Sequence, residues 1–291
     1  MTRVTDRQIL TQHTARIGRT RAEQSRLQEQ IASGKRVQRP SDDPQSYSHL
    51  ERLSHRLAQL EGAGQTAAAS RTRLETADKA LDNMHNTLSR VRELTIQGLN
   101  SSYNTNDRQD IAAELRQLSD HFGALTATRI DGEYVFSGTK TDTPPLADDG
   151  TYQGGGPGTV VEIGDNTRVD VAVIGDELFD GDVNIVQLLS ELAEQMETED
   201  LDALGDNLAN LDAAEEQLIV GRTSVGARIS RIDVAETLTE DIRLGILKEQ
   251  QDVGDTDVAS AISELLVQER SLQAAVQVAG RSIQPSLLDI L

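Results

Sequence analysis

Residues 258–283 read VASAISELLVQERSLQAAVQVAGRSI, and this run decides the fold. Val258, Ile262, Leu265, Glu269, Leu272, Val276, Ala279 and Ile283 follow one another at alternating spacings of four and three, and only Glu269 is not apolar. On an α-helix these positions form one narrow stripe, which predicts a seam that meets another helix. Leu266, Ala275 and Leu287 widen it, and no glycine or proline interrupts it before Gly280 and Pro285. A weaker stripe lies at the opposite end of the chain. Leu10, Ile17, Leu27 and Ile31 share a register that also passes through His13, Thr20 and Gln24. The two ends are expected to come together as an assembly seam from which the rest of the chain hangs.

Composition points the same way. Aromatic residues make up 2% of the 291 positions, and tryptophan and cysteine are absent. Ala, Leu, Glu, Gln, Arg and Asp dominate, the usual material of long helices and coiled coils. A formal net charge of −20 repels phosphate backbones and anionic lipid, so neither nucleic acid nor membrane insertion is expected. No run approaches the roughly 20 apolar residues of a membrane span. The N-terminus, Met1-Thr-Arg-Val-Thr-Asp-Arg7, lacks the apolar centre of a cleavable signal peptide. The chain is therefore expected either to be cytosolic or to be exported by a route that reads no signal peptide. Without cysteine, disulfide and thiol chemistry are excluded.

Along the chain, residues 5–33 read as a first helix ending at Ser33-Gly34, with Gly34 suited to the left-handed C-cap. Lys35 to Arg39 is a basic strap leading to Pro40-Ser41-Asp42-Asp43-Pro44. There Ser41 or Asp43 can cap a second helix that has Pro44 in its first turn. That helix carries Leu53, Leu60, Ala67, Leu74, Leu81 and Leu88 and ends near Gly98. A third helix is predicted over 107–129, capped by Asn106, and its short connection makes it antiparallel to the second. Residues 131–182 change character. They are rich in Gly, Pro, Asp and Thr, with β-like runs at 134–136, 159–163 and 168–174. Helix returns at 183–197 and again from about 198 towards 246. Gly254-Asp255-Thr256-Asp257 then breaks it, and Asp255 or Thr256 can cap the terminal helix.

The layout predicts a mainly α fold: a long antiparallel helical bundle and coiled coil formed by the N- and C-terminal segments, with a small β-rich inserted domain. The expected division is a terminal coiled-coil assembly domain of residues 1–40 plus 250–291. A helical rod domain of 41–135 plus 183–249 and a small exposed β-rich domain of 136–182 complete it.

Catalytic signatures do not emerge. His13, His49, His55, His85 and His121 stand singly on predicted helices, with no HExxH, GxSxG or Walker loop. Asp180, Asp182, Asn184 and Glu191 fit positions 1, 3, 5 and 12 of a calcium loop, but position 6 is Ile185 where a glycine is required. Asp42 and Asp43 are explained by capping and the helix dipole. No enzyme activity, cofactor or metal is predicted. A terminal segment with one apolar stripe recovers little against the conformational entropy of ordering it. The ends are therefore expected to stay mobile in a monomer and to order when many copies pack together.

Ile31-Ala32-Ser33-Gly34-Lys35-Arg36-Val37 followed by Pro40-Ser41-Asp42-Asp43-Pro44 resembles the N-terminal signature of the bacterial flagellin family. Val225-Gly226-Ala227-Arg228-Ile229-Ser230-Arg231-Ile232 and Asp255-Thr256-Asp257-Val258-Ala259 resemble its C-terminal signature. Arg3-Val4-Thr5, the segment Gly132 to Gly138 before Thr139 to Pro145, and the ending Leu287 to Leu291 are similar to the members that join hook to filament. The Asn-rich N-terminus and Phe-Asn-Gly of filament-forming members are missing.

The resemblance implies a paired terminal coiled coil lining a tube, a helical rod outside it and an exposed β domain. It implies an extracellular, flagellar location reached by type III export of an unfolded chain. It also implies partners: copies of the chain itself, the other hook–filament junction protein, flagellin, and a cytoplasmic export chaperone on the C-terminal helix. Two other readings stay open, a filament subunit (flagellin itself) and a soluble coiled-coil signalling protein.

Overall fold

The computed structural model describes residues 2–147, 150–156, 158, 160–163 and 167–283, and among these the chain is mainly helical. In order, the elements are α1 (Thr2–Ser33), α2 (Pro44–Gly98), α3 (Thr105–Thr126), β1 (Arg129–Ile130), β2 (Glu133–Tyr134), β3 (Val160–Glu162) and β4 (Arg168–Asp170). They are followed by α4 (Gly175–Phe179), α5 (Ile185–Thr198), α6 (Leu201–Gly254) and α7 (Val258–Ile283). Two compact units emerge: Met1–Ala58 with Arg243–Leu291, and Gln59–Ile242. The long helices α2 and α6 contribute residues to both.

In the unit Gln59–Ile242 the heptad rows become the core. Leu74, Leu81 and Leu88 of α2 and Leu204, Leu211 and Leu218 of α6 are all buried. The two helices run antiparallel, as their cross-links show: Arg71 pairs with Asp233 and Glu236, Arg222 with Asp78 and Asp82, and Arg92 with Asp212. Glycines inside α6 cost roughly 1 kcal/mol each against alanine, which the buried row outweighs. One of them has a packing use: a Cβ on Gly221 would lie 1.9 Å from Leu178 Cδ2, so a side chain there would have to displace the α4 leucine that packs against it.

The α2–α3 connection is tied by Arg108, which is buried and donates from Nε to the Gly98 carbonyl at 3.0 Å. The α3 cap differs from expectation. Asn104, not Asn106, accepts from the amides of Asn106 and Asp107, while Asp107 accepts from the Asn104 amide. This capping box puts the Asp107 carboxylate at the third helical position, where it reaches back to the cap's own amide at the positive end of the helix.

The β-like region is more broken than its sequence suggests. β1 and β2 form a two-residue hairpin, and β3 and β4 pair antiparallel with Val161 opposite Val169. The alternating Val171 and Val173 lie after β4, outside any ladder, and are buried there. All three phenylalanines of the chain meet at this point. Phe136 and Phe122 stand edge-on to Phe179 at 5.3 and 6.3 Å, fastening the inserted region and α4 to α3.

Candidate functional site

Of the family-like motifs, Ile31–Pro44 and Asp255–Ala259 meet in the unit Met1–Ala58 with Arg243–Leu291, while Val225–Ile232 lies on α6 in the other unit. α1 stops because Gly34 takes φ +71°, a left-handed conformation natural to glycine, and its amide closes on the Gln30 carbonyl at 2.8 Å. The chain then lies beside the α6–α7 connection. Arg36 donates from its amide to the Gly254 carbonyl at 2.7 Å, and the Thr256 amide donates to the Gly34 carbonyl at 2.8 Å. Lys35 and Asp255 face each other in an isolated β-bridge, and their side chains pair at 2.5 Å. Arg36 adds a guanidinium bond to the Val253 carbonyl at 2.8 Å, and Gln30 donates to the Arg36 carbonyl at 2.9 Å. Val37 is buried beneath this clasp.

The Pro40–Pro44 motif then turns the chain into α2. The Asp42 amide donates to the Arg39 carbonyl, making a turn with Pro40 second and Ser41 third. Asp42 in return accepts from the Arg39 and Gln38 amides, which lowers its carboxyl pKa. Asp43 is the cap of α2: it accepts from the Ser46 amide at 3.1 Å and the Ser46 hydroxyl at 2.6 Å. The Ser46 hydroxyl, the Ser46 amide and then Arg36 lower the Asp43 carboxyl to about 2. Pro44 occupies the first helical position, where its missing N–H is no loss. Ser33 completes the motif by accepting from the Lys35 amide at 3.2 Å and donating to the Glu29 carbonyl at 2.8 Å.

Helices α1 and α7 run antiparallel, with Lys35 at Asp255 and Gln24 Nε2 donating to Glu269 Oε1 at 3.5 Å. Of the seam residues expected on α1, Leu27 is buried, Ile17 and Ile31 are half-buried, and the Leu10 side chain lies outside the described ones. On α7, Leu265 and Leu272 are half-buried, whereas Val258, Ile262 and Val276 are 42%, 44% and 49% exposed. The Ile283 side chain is outside the described ones. Two alanines are the buried residues of this face: Ala279, which belongs to the expected stripe, and Ala261, which lies beside it. α7 thus shows water a second apolar flank of Val258, Ile262, Leu266 and Val276. Its cap is Asp257, which accepts from the Ala259 and Ser260 amides, and not Asp255 or Thr256. Asp255 is instead engaged by Lys35.

Sequence reasoning named Gly254 and Arg36 without their contact, and missed Gln30 and Ala261. Gly254 had a signal, since it precedes the polar break, but its carbonyl's partner is more than two hundred residues away. At the calcium-like positions, Asn184 is the cap of α5, accepting from the Gln187 amide and donating to Asp180 at 2.8 Å. Among the described residues no group of three or more His, Cys, Asp or Glu is arranged to hold a metal, and no helix is long and apolar enough to cross a membrane.

Comparison with known proteins places this geometry. Residues 6–141 match the bacterial flagellin N-terminal helical region. A flagellin of Halalkalibacterium halodurans is 30% identical over 76% of this chain and 82% of its own. The flagellar hook-associated protein 3 of Escherichia coli is 26% identical over 92% of this chain and 93% of its own. A putative flagellar hook-associated protein of Vibrio parahaemolyticus, 23% identical, superposes with a TM-score of 0.69 over 74% of this chain and 100% of that one. A polypeptide whose two ends are clasped by the strap after α1 and the break before α7, with an inserted β region between helical halves, belongs to the bacterial flagellin family.

Proposed function

We propose that the chain is a structural adaptor at the hook–filament junction of the bacterial flagellum, polymerising through its terminal helices and linking the hook-side junction protein to flagellin. The observation that carries the assembly part is the outer flank of α7. Val258, Ile262, Leu266 and Val276 are large, apolar and exposed on a helix already paired on another face. Such a stripe is stable in water only at a cost that packing against further copies removes. The junction position, as opposed to a place along the filament, is supported by likeness over nearly the whole length to hook-associated protein 3.

The terminal segments 1–40 and 250–291 are the assembly domain in this reading, 41–135 with 183–249 the rod, and 136–182 the exposed part. The chain acts without catalysis. It reaches the flagellum through the organelle's own export channel, its C-terminal helix held beforehand by a cytoplasmic chaperone. Deleting the gene and imaging the flagella tests the role. Hooks lacking filaments, with flagellin lost to the medium, are expected, and persisting filaments would refute it. The flagellin reading is favoured by the Halalkalibacterium relative. It is separated from the first by whether the purified chain grows long filaments on seeds.

A further inference from the structure

The N-terminal segment carries a charge opposite to that of the rest of the protein. Residues 1–40 hold nine arginines and lysines against three acidic residues, a net +6, which leaves −26 on residues 41–291. In the other compact unit six arginines, Arg71, Arg73, Arg90, Arg92, Arg116 and Arg222, each meet a carboxylate of the same chain. On α1, Arg26 is balanced by Glu23, and Glu264 of α7 also acts on it. Arg16, Arg19 and Arg21 are different. All three are exposed, and among the described residues none has an ion pair. The paired helix cannot neutralise them, because the only carboxylates within Val258–Ile283 are Glu264 and Glu269, and Glu269 is met by Gln24.

The opposite imbalance is found at the α5–α6 connection. Glu194, Asp200, Asp202 and Asp206 are exposed there. The cations beside it are already committed, Arg116 to Glu197 and the buried Arg108 to Glu199. An excess of positive charge on one surface and of negative charge on another of the same chain is complementary between copies.

We propose that Arg16, Arg19 and Arg21 of one copy dock on the carboxylates of the α5–α6 connection of a second copy. This rests on the assembly role proposed above and adds to it a polar, register-setting contact beside the apolar flank of α7. Charge pairs of this kind steer association and reject wrong alignments more than they add affinity. They also weaken as salt shortens the reach of exposed charges to about 3 Å at 1 M.

The test uses the full-length chain in cells and in isolated flagella. The triple variant Arg16→Lys, Arg19→Lys, Arg21→Lys keeps the charge and supplies amines that a carbodiimide can join to a touching carboxylate. Cells carrying isotopically light and heavy copies distinguish links between copies from links within one. Amides from positions 16, 19 or 21 to residues 194–206 of a different copy are the expected result, lost in 1 M salt. Links confined to one copy, links only to another flagellar component, or none at all would overturn the proposal while leaving the assembly role standing. Absence of the wild-type chain from isolated flagella would overturn both. A second arm reverses the charges with Arg16→Glu, Arg19→Glu and Arg21→Glu. Incorporation into flagella is expected to fall at least about tenfold and to recover partly with Asp200→Lys and Asp202→Lys. Unchanged incorporation refutes the contact. If the wild-type arginines serve nucleic acid or lipid instead, the purified chain will be retained on heparin or on phosphatidylserine vesicles, and that outcome also overturns it.

Discussion

Replacing Phe179 by alanine removes the side chain that fastens the inserted β region to the helices, and its cost can be worked out from the packing. The ring is fully buried and meets Phe136 at 5.3 Å and Phe122 at 6.3 Å, both edge-on. Truncating a buried phenylalanine costs about 3–5 kcal/mol, and the value depends on how far the surroundings can collapse into the space. Here collapse is hindered on both sides. Phe122 is fixed on the three-turn-and-longer helix α3, and Phe136 is held by its carbonyl, which accepts from the Gly175 amide at 2.9 Å. Each edge-on pair adds about 0.5–1.5 kcal/mol beyond area burial, so the upper half of the range is expected. In a unit of this size 1 kcal/mol moves the midpoint by roughly 2–4 °C, giving a fall of roughly 8–20 °C.

Calorimetry of the full-length chain measures this, with limited proteolysis as a second readout. Cleavage is expected to move into 131–182 before the long helices are touched. Phe179→Leu, which keeps most of the volume, is expected to recover much of the loss. A Phe179→Ala midpoint within 2 °C of wild type would refute the claim that this ring cluster carries the insertion.

Three further outcomes are expected. Gly138→Ala should destabilise the same region, because φ is +58° there and a Cβ would lie 2.5 Å from the Gly155 carbonyl oxygen, a backbone atom that cannot swing away; chemical denaturation checks it, and a wild-type midpoint would contradict it. Leu27→Ala, emptying the most buried seam position of α1, should cost about 2–5 kcal/mol and speed amide exchange in α1 and α7 while leaving the midpoint of the unit Gln59–Ile242 unchanged. Because folding lowers the Asp43 carboxyl to about 2, below its unfolded value, the α2 cap contributes fully above pH 4 and is lost as pH falls from about 4 through 2; exchange at the Ser46 amide should rise over that window, and Asp43→Asn should flatten the response.

The long helices were legible because their period forces the answer. Leu74, Leu81 and Leu88, or Leu204, Leu211 and Leu218, recur every seven residues, and a helix has one face on which such residues can meet. Caps were legible only to within two or three residues, since Asn104 and Asn106, or Asp255 and Asp257, offer the same side-chain chemistry. The carboxylate of Asp107 and the demands of Lys35 decided between them. Strands of two or three residues are too short for a period-two pattern to show, and Val171 and Val173 alternate without joining a ladder. The meeting of Phe122, Phe136 and Phe179 and the Arg36–Gly254 bond join residues far apart in the chain, and backbone bonds leave no mark on composition.

The α7 stripe separates two kinds of information. Its 4–3 spacing says correctly that this side of the helix is apolar, yet the spacing cannot say which part of that side a neighbour covers. Alanines at 261 and 279 allow a close inward face, while Val258, Ile262 and Val276, one step round the helix, keep nearly half their surface in water. Two perturbations therefore have different consequences. Polar substitution at Val258, Ile262 and Val276 should leave the stability of the isolated chain almost unchanged, because surface positions rarely matter to it, while a bulky residue at Ala261 or Ala279 should loosen the α1–α7 pair directly. If the outer positions proved as costly to the isolated chain as the inner ones, the outer flank would already be satisfied within one molecule, and the case for further copies packing on α7 would fall with it.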